Sequence, residues 1–387
     1  MTDYQVIVLG LGGIGSAATY WASRRLGEEV LGIEQFSLGH PNGGSEDHSR
    51  IIRLSYHTPG YVRLAQSAYR SWSAVEQDSQ EQLILRTGGL DLAPQQAAIG
   101  LDGFRASLAA CDVPFDDLTA SEVMTEWPQW RLPDDATALY QAQTGIVMAS
   151  KANTVHRNLA TKNGARLLEN QEILSISEHG GEVIVTTTES RYSAESLIIA
   201  AGAWSNQVLG HLGVTFPLEV TLEQVVYLRP QTPEAFAPDR FPVWIWMTMP
   251  ALYGFPIFGE PAAKVAWDRC EIVTDADSRS HVPRTDVTET IEEFTAAHLP
   301  DLNGGVHLAK TCLYTLTPDR DFVIDRVPGT ERVFTAIGAG HAYKFASLIG
   351  SILVDLAMDG TTSHDISPFT SDRAILRDPN PVRNYLI

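Results

Sequence analysis

Tyr4-Gln-Val-Ile-Val-Leu9 runs directly into Gly10-Leu-Gly12-Gly-Ile-Gly15, and the Ala-rich stretch 16–26 follows. The first six residues are a short β-branched run of the kind that forms a buried parallel strand. Residues 16–26 suit a helix that stops at Gly27. Val30-Leu-Gly-Ile33 is a second strand, closed by Glu34. The unit is βαβ, and its glycines have physical work. Gly10 permits a tight turn, Gly12 lets the backbone approach a pyrophosphate, and Gly15 lets helix and strand pack closely. Phosphates then sit at the helix N-terminus, where N–H groups and the dipole favour negative charge. Glu34 is placed to accept from ribose hydroxyls and would repel a 2′-phosphate, which disfavours NADP. A dinucleotide site follows; the motif alone does not separate FAD from NAD.

The chain has 387 residues, enough for two domains or one core with an inserted domain. Its formal net charge of -19 disfavours nucleic acid or an anionic membrane as partner, since phosphate binding needs concentrated Lys and Arg. Cys111, Cys270 and Cys312 are too few and too scattered for a disulfide framework or a zinc cluster, and no metal is expected. No signal peptide is expected at the N-terminus, and no apolar run reaches the roughly 20 residues of a membrane span. The final Asn-Tyr-Leu-Ile is not a peroxisomal address. A cytoplasmic location is the expectation.

Further along, helices are expected over residues 61–77 and 154–164, and strands over 183–188 and 196–201. From Phe216 to Leu316, strand-like runs alternate with Pro-containing loops, as in a substrate domain on an antiparallel or mixed sheet. Residues 333–337 form another strand, 338–340 a turn, and 344–358 a long apolar helix. The expected fold is α/β (α+β as a whole). A discontinuous Rossmann-like nucleotide domain takes residues 1–85, 145–215 and 318–387. A substrate domain takes 86–144 and 216–317.

Pro41-Asn-Gly-Gly-Ser-Glu-Asp-His-Ser-Arg-Ile-Ile-Arg53 resembles the monomeric sarcosine oxidase family, which includes N-methyltryptophan oxidase. Further segments fit in the family's order: 202–205, Tyr253-Gly-Phe-Pro256 with Lys264, Lys310-Thr-Cys-Leu-Tyr-Thr315 with 321–325, and Gly338-Ala-Gly-His-Ala-Tyr-Lys-Phe345. The resemblance implies FAD, bonded at its 8-methyl carbon to Cys312. Cofactor contacts are implied for Gly10, Gly12, Gly13, Ile14 and Gly15, for Glu34 and Gln35, and for Ser45, Ser49 and Arg50. Others fall on Gly202, Trp204, Gly338, Gly340, His341 and Lys344.

By the same resemblance Lys264 activates oxygen, because a nearby cation stabilises superoxide as electrons leave reduced flavin. Arg53 and Lys344 grip a substrate carboxylate, for which Arg supplies bidentate geometry. Arg50 lies beside the flavin ring. His341 and Tyr253 lie in the active site. Ser49 replaces the family's usual Thr. Two departures stand out: Glu46 and Asp268 occupy positions where sarcosine oxidase has histidine. Asp268 resembles the related fructosyl amino acid oxidases, whose acid holds sugar hydroxyls. Trp246, in the run Trp244-Ile-Trp246, is a candidate wall for a bulky side chain, with core packing as the other reading.

The implied reaction is oxidation of a secondary amine in an N-substituted amino acid. Hydride passes to flavin N5, the imine hydrolyses, and O₂ becomes H₂O₂ in a monomeric enzyme. Fructosyl amino acid oxidation, a flavin dehydrogenase with another electron acceptor, an inert flavin-bearing binding protein and a plain NAD-dependent dehydrogenase are the competing readings.

Overall fold

The computed structural model describes residues 2–384 apart from 96, 250, 269 and 270. Cys270 and the final Tyr-Leu-Ile therefore lie outside the described residues. The opening motif is the strand Tyr4–Leu9, a glycine turn and the helix Gly13–Leu26. Tyr4–Leu9 is central in a sheet, parallel to Val30–Ile33 on one side and to Arg191–Ile199 on the other. Arg166–Leu168 extends the first side, and Val333–Ile337 lies parallel to Arg191–Ile199 on the second. The central strand is apolar because both faces are covered. Gly10 takes φ +85°, and a Cβ there would lie 2.6 Å from the Ala200 carbonyl oxygen. A Cβ on Gly15 would overlap the Gly10 carbonyl oxygen, so helix and strand approach at glycine distance.

A second sheet runs Val306–Leu316, Glu219–Leu228, Ala263–Asp268, Ala251–Ile257, Val243–Trp246, Gly89–Ala93, Thr137–Gln141 and Asp116–Thr119. It is mixed, with its one parallel pair between Val243–Trp246 and Gly89–Ala93 among these described strands. Ser49–Ile52 pairs with Gly145–Met148 in a small third sheet. No helix among the described residues is long and apolar enough to cross a membrane.

The first helix begins three residues earlier than expected, at Gly13, and three more helices differ from the expected bounds. Pro59–Ser79 starts early because Pro is at home in a helix's first turn. Ala149–Lys162 starts five residues before Thr154. Its first N–H groups bond to distant carbonyls, Ala149 to His48 (3.1 Å) and Ser150 to Asp47 (3.0 Å). Such a cap is invisible in the local sequence. The C-terminal helix Ala346–Asp359 is preceded by a tight 3₁₀ turn, Ala342–Phe345. There the Lys344 carbonyl accepts from the Trp72 indole (2.8 Å).

Candidate active site

A cavity of about 1120 Å³ opens between the two large sheets. It exceeds the roughly 300–1,000 Å³ typical of a small-ligand pocket, room for a dinucleotide and a further small molecule. Gly10, Gly12, Gly13 and Ile14 line one end, with Glu34, Gln35, Gly202 and Trp204. Ser45 sits over the turn and accepts from the Gly13 N–H (2.9 Å). A Cβ on Gly12 would close to 3.0 Å of the Ser45 hydroxyl, so the turn must stay bare. Glu34 accepts from the N–H groups of Leu11 (2.8 Å) and Phe36 (3.1 Å). Burial alone would raise this carboxyl; contacts from His40 and those two N–H groups override it and hold it below its usual value.

The middle of the cavity is strongly charged. Lys264 is 2% exposed, on the strand Ala263–Asp268. Its ammonium donates to the Asp47 carboxylate (3.0 Å) and the Ser49 carbonyl (2.8 Å), and lies 4.1 Å from the Phe255 ring centre. Burial pushes it down to about 8, although Asp47 pulls the other way. Arg50 stands 3.6 Å from Asp47 and donates to the carbonyls of Ser49, Gly44 and Glu46. Cys312 lines the same region from the strand Val306–Leu316. Burial pushes its thiol up to about 11, with Arg50 opposing. Gly338, Gly340 and His341 enter from the C-terminal turn. His341 Nε2 lies 2.8 Å from the Arg320 carbonyl, and its Nδ1 is buried with no hydrogen-bond partner among the described residues. Burial, then Lys344 and Arg320, hold this ring neutral.

Arg53 and Lys344 form a cationic wall at the other end. The Arg53 guanidinium pairs with buried Asp91 (3.2 Å) and covers the Tyr56 ring at 4.8 Å. The Lys344 ammonium lies 5.9 Å from the same ring and donates to the His341 carbonyl (3.2 Å). Burial, then Arg53, push Lys344 down to about 7. Two cations lie against one aromatic ring, and an added anion would relieve their repulsion. Tyr253 and Tyr314 face each other across 3.4 Å, both phenols raised by burial. Asp268 lines this end and lies 3.6 Å from the buried Arg320 guanidinium.

Three expected residues stand outside the cavity wall. Gly15 acts behind it, in helix–strand packing. Ser49 offers its carbonyl to Lys264 and Arg50 while its hydroxyl is buried, correcting the expected cofactor contact. Trp246 is also a correction. Its strand alternates, so Ile245 and Met247 face the cavity while Trp244 and Trp246 face the core. Trp246 packs on His298, Phe294 and Trp130 at 4.5, 5.3 and 6.4 Å. Other wall residues were missed from sequence. Asp47 carried no signal beyond its place in a polar loop. Arg157, on a helix and resembling an ordinary surface residue, lines the nucleotide end with Glu46 at 3.9 Å. Lys310, Tyr314 and Arg279 also line the wall.

The match to known proteins extends over this whole arrangement. The model of the family described as FAD dependent oxidoreductase matches residues 5–356. The chain is 35% identical to a monomeric sarcosine oxidase of Streptomyces avermitilis, covering 96% of this chain and 97% of that one. It is 31% identical to the peroxisomal sarcosine oxidase of Homo sapiens, covering 96% of each. Among solved structures, the open form of NikD, an unusual amino acid oxidase, superposes with a TM-score of 0.84 at 23% identity, over 98% of this chain and 100% of that one. A glycine cradle, an acid closing the second strand, and relatives aligned over nearly the full length point the same way: this chain belongs to the FAD dependent oxidoreductase family.

Proposed function

We propose that the protein oxidises the secondary amine of an N-substituted amino acid, of the sarcosine or N-methyl amino acid type. The observation that carries the reading is the Arg53–Lys344 wall in the cavity that also holds the glycine cradle, Lys264 and Cys312. Bound FAD would supply the two-electron chemistry that couples oxidation of the substrate's C–N unit, to an imine that water hydrolyses, with reduction of O₂ to H₂O₂. The cradle, Glu34 and Arg157 would hold its nucleotide half, and Arg50, Lys264 and Cys312 its ring end. Arg53 binds the substrate carboxylate in a fork, and Lys344 adds a point charge. The carboxylate turns the amine toward the cavity interior, where Tyr253 and Tyr314 exclude water. The reacting amine must be neutral, and the surrounding cations favour that form. Lys264 supplies fixed positive charge where oxygen is reduced. The protein acts as a monomer on this reading.

Asp268 favours a second reading with the same chemistry. A carboxylate on the cavity wall accepts from sugar hydroxyls, as a fructosyl amino acid would present. A peroxide-coupled screen of sarcosine, N-methyltryptophan, fructosyl-glycine, fructosyl-valine and pipecolate decides between them. Peroxide with an N-methyl amino acid is the expected result. Peroxide only with the fructosyl compounds moves the assignment to the second reading. Anaerobic bleaching without peroxide in air identifies a dehydrogenase, and no bleaching by any of them removes the oxidase reading.

Sulfur at position 312 is proposed to bond to the flavin 8-methyl carbon: the thiol S–H and one methyl C–H would be lost as protons, and the two electrons released would reduce the ring, to be passed on to O₂. Acid-precipitated protein is then expected to stay yellow, while the Cys312→Ser variant releases all its flavin to the supernatant. Because burial keeps the thiol protonated up to about pH 11, attachment to added FAD should quicken as pH rises. A colourless wild-type pellet from flavin-loaded protein would remove the covalent bond.

A further inference from the structure

Lys264 is a buried ammonium, and a buried ammonium without a counter-charge tends to lose its proton. Its counter-charge is Asp47, a residue outside the expected site. The Asp47 backbone has φ 151°, a region that L residues rarely adopt. Such a conformation costs of order 1–3 kcal/mol and persists only where the surroundings impose it. Here Ser150 imposes it: its hydroxyl accepts from the Asp47 N–H (3.1 Å), and its own N–H (3.0 Å) and hydroxyl (2.8 Å) donate to the Asp47 carbonyl. Glycine would meet that geometry without strain, so the cost is tolerated for the side chain.

That side chain is fully engaged. One carboxylate oxygen takes Lys264 at 3.0 Å and Arg50 at 3.6 Å. The other accepts from the Tyr227 hydroxyl at 2.8 Å and lies 3.5 Å from Lys310. The side chains of Lys264 and Asp47 are 3% and 7% exposed, whereas that of Lys310 is 39% exposed. Lys310 reaches outward to Glu260 (4.0 Å), which also holds His48 (2.9 Å) and His307 (3.2 Å). The groups facing Lys264 are thus Asp47 from the loop, Arg50 from the strand Ser49–Ile52, Tyr227 from Glu219–Leu228, and Cys312 from Val306–Leu316. Of these, Arg50 repels the ammonium and Asp47 alone carries a full opposing charge.

We infer that Asp47 is a positioning residue for Lys264, fixing the ammonium at the cavity wall and keeping it charged for the oxygen step. The inference rests on the proposed role of Lys264. Its sign is definite. Below its titration midpoint Lys264 is a cation; as pH rises through that midpoint the cation is lost and reoxidation slows. Removing the Asp47 charge moves the midpoint to lower pH.

The test is a pH titration of the bound-flavin absorption spectrum, paired with stopped-flow reoxidation of the reduced protein. The spectral step that disappears in Lys264→Met belongs to Lys264. In Asp47→Asn that step is expected to fall by about 1–3 pH units, and the pH profile of reoxidation to fall with it. Reoxidation should slow by a larger factor than anaerobic reduction by substrate, and Asp47→Glu should return the step toward its wild-type pH. A Lys264-dependent step in Asp47→Asn at the wild-type pH overturns the inference. Should Asp47→Asn fail to load FAD, the double variant Asp47→Asn/Lys264→Met decides. Restored loading upholds the pairing, because the stranded cation is gone; failed loading shows that Asp47 serves only the loop and overturns it. If Lys264→Met reoxidises at the wild-type rate while Asp47→Asn still moves the step, the pairing stands and the oxygen role falls.

Discussion

Lys264→Met is expected to be reduced by substrate at nearly the wild-type rate and reoxidised by O₂ about 10²–10³-fold more slowly, the usual effect of deleting one preorganised electrostatic group. The change should not unfold the protein. Asp47 loses one partner but retains Arg50, Lys310 and the Tyr227 hydroxyl around its carboxylate. The side chain it replaces is unbranched and lies against Phe255, a setting that methionine fills. Separate stopped-flow measurements of the two half-reactions check the expectation. Unchanged reoxidation, or equal loss in both halves, would rule out an oxygen-specific role.

Arg53→Met is expected to have two effects of different origin. The first is on stability. Arg53 and Asp91 are 4% and 6% exposed and pair at 3.2 Å. Removing one partner of a buried pair costs about 3–5 kcal/mol, because the other charge is stranded. Burial already lifts the Asp91 carboxyl despite Arg53, so Asp91 in the variant should take up a proton. Thermal melts would register the loss, and Arg53→Met/Asp91→Asn should recover most of it. The second effect is on substrate. A hydrogen bond to a charged group contributes about 1.5–3 kcal/mol, so KM should rise roughly 10- to 100-fold and stay high in the double variant. Stability recovered together with KM would mean that Arg53 only supports the wall.

Lys344 adds a pH signature to that series. In the wild type burial and then Arg53 push it down to about 7. Carboxylate binding should therefore weaken as pH rises through about 7. Without Arg53 the repulsion is gone, and the same weakening should occur at higher pH.

The nucleotide half was readable because each residue of its motif has a local reason. Glycines at 10, 12 and 15 meet steric demands visible one by one in the turn, and Glu34 ends a strand recognisable from its composition. The cations at 50, 53, 264 and 344 were found through motifs, and they converge on one cavity. What the chain hid was set by parity and long-range partnership. Trp244-Ile-Trp246 is apolar on both faces, so alternation could not say which face met the cavity. Asp47 and Lys264 are 217 residues apart, and nothing near either names the other. The early start of the helix at Ala149 has the same cause, since its cap comes from residues 47 and 48.

The strand Val333–Ile337 lies against Arg191–Ile199, and the helix after it packs on the first helix so closely that a Cβ on Gly350 would lie 2.6 Å from the Ala18 nitrogen. Between completing Ile199 and reaching Val333, a ribosome adding about 5–20 residues per second spends roughly 7–27 s. Through this interval the nascent chain carries a nucleotide cradle whose neighbouring sheet edge is bare. Cofactor capture is thus expected only once this strand and helix have been made, and truncation before Val333 should abolish it although the fingerprint glycines lie far upstream.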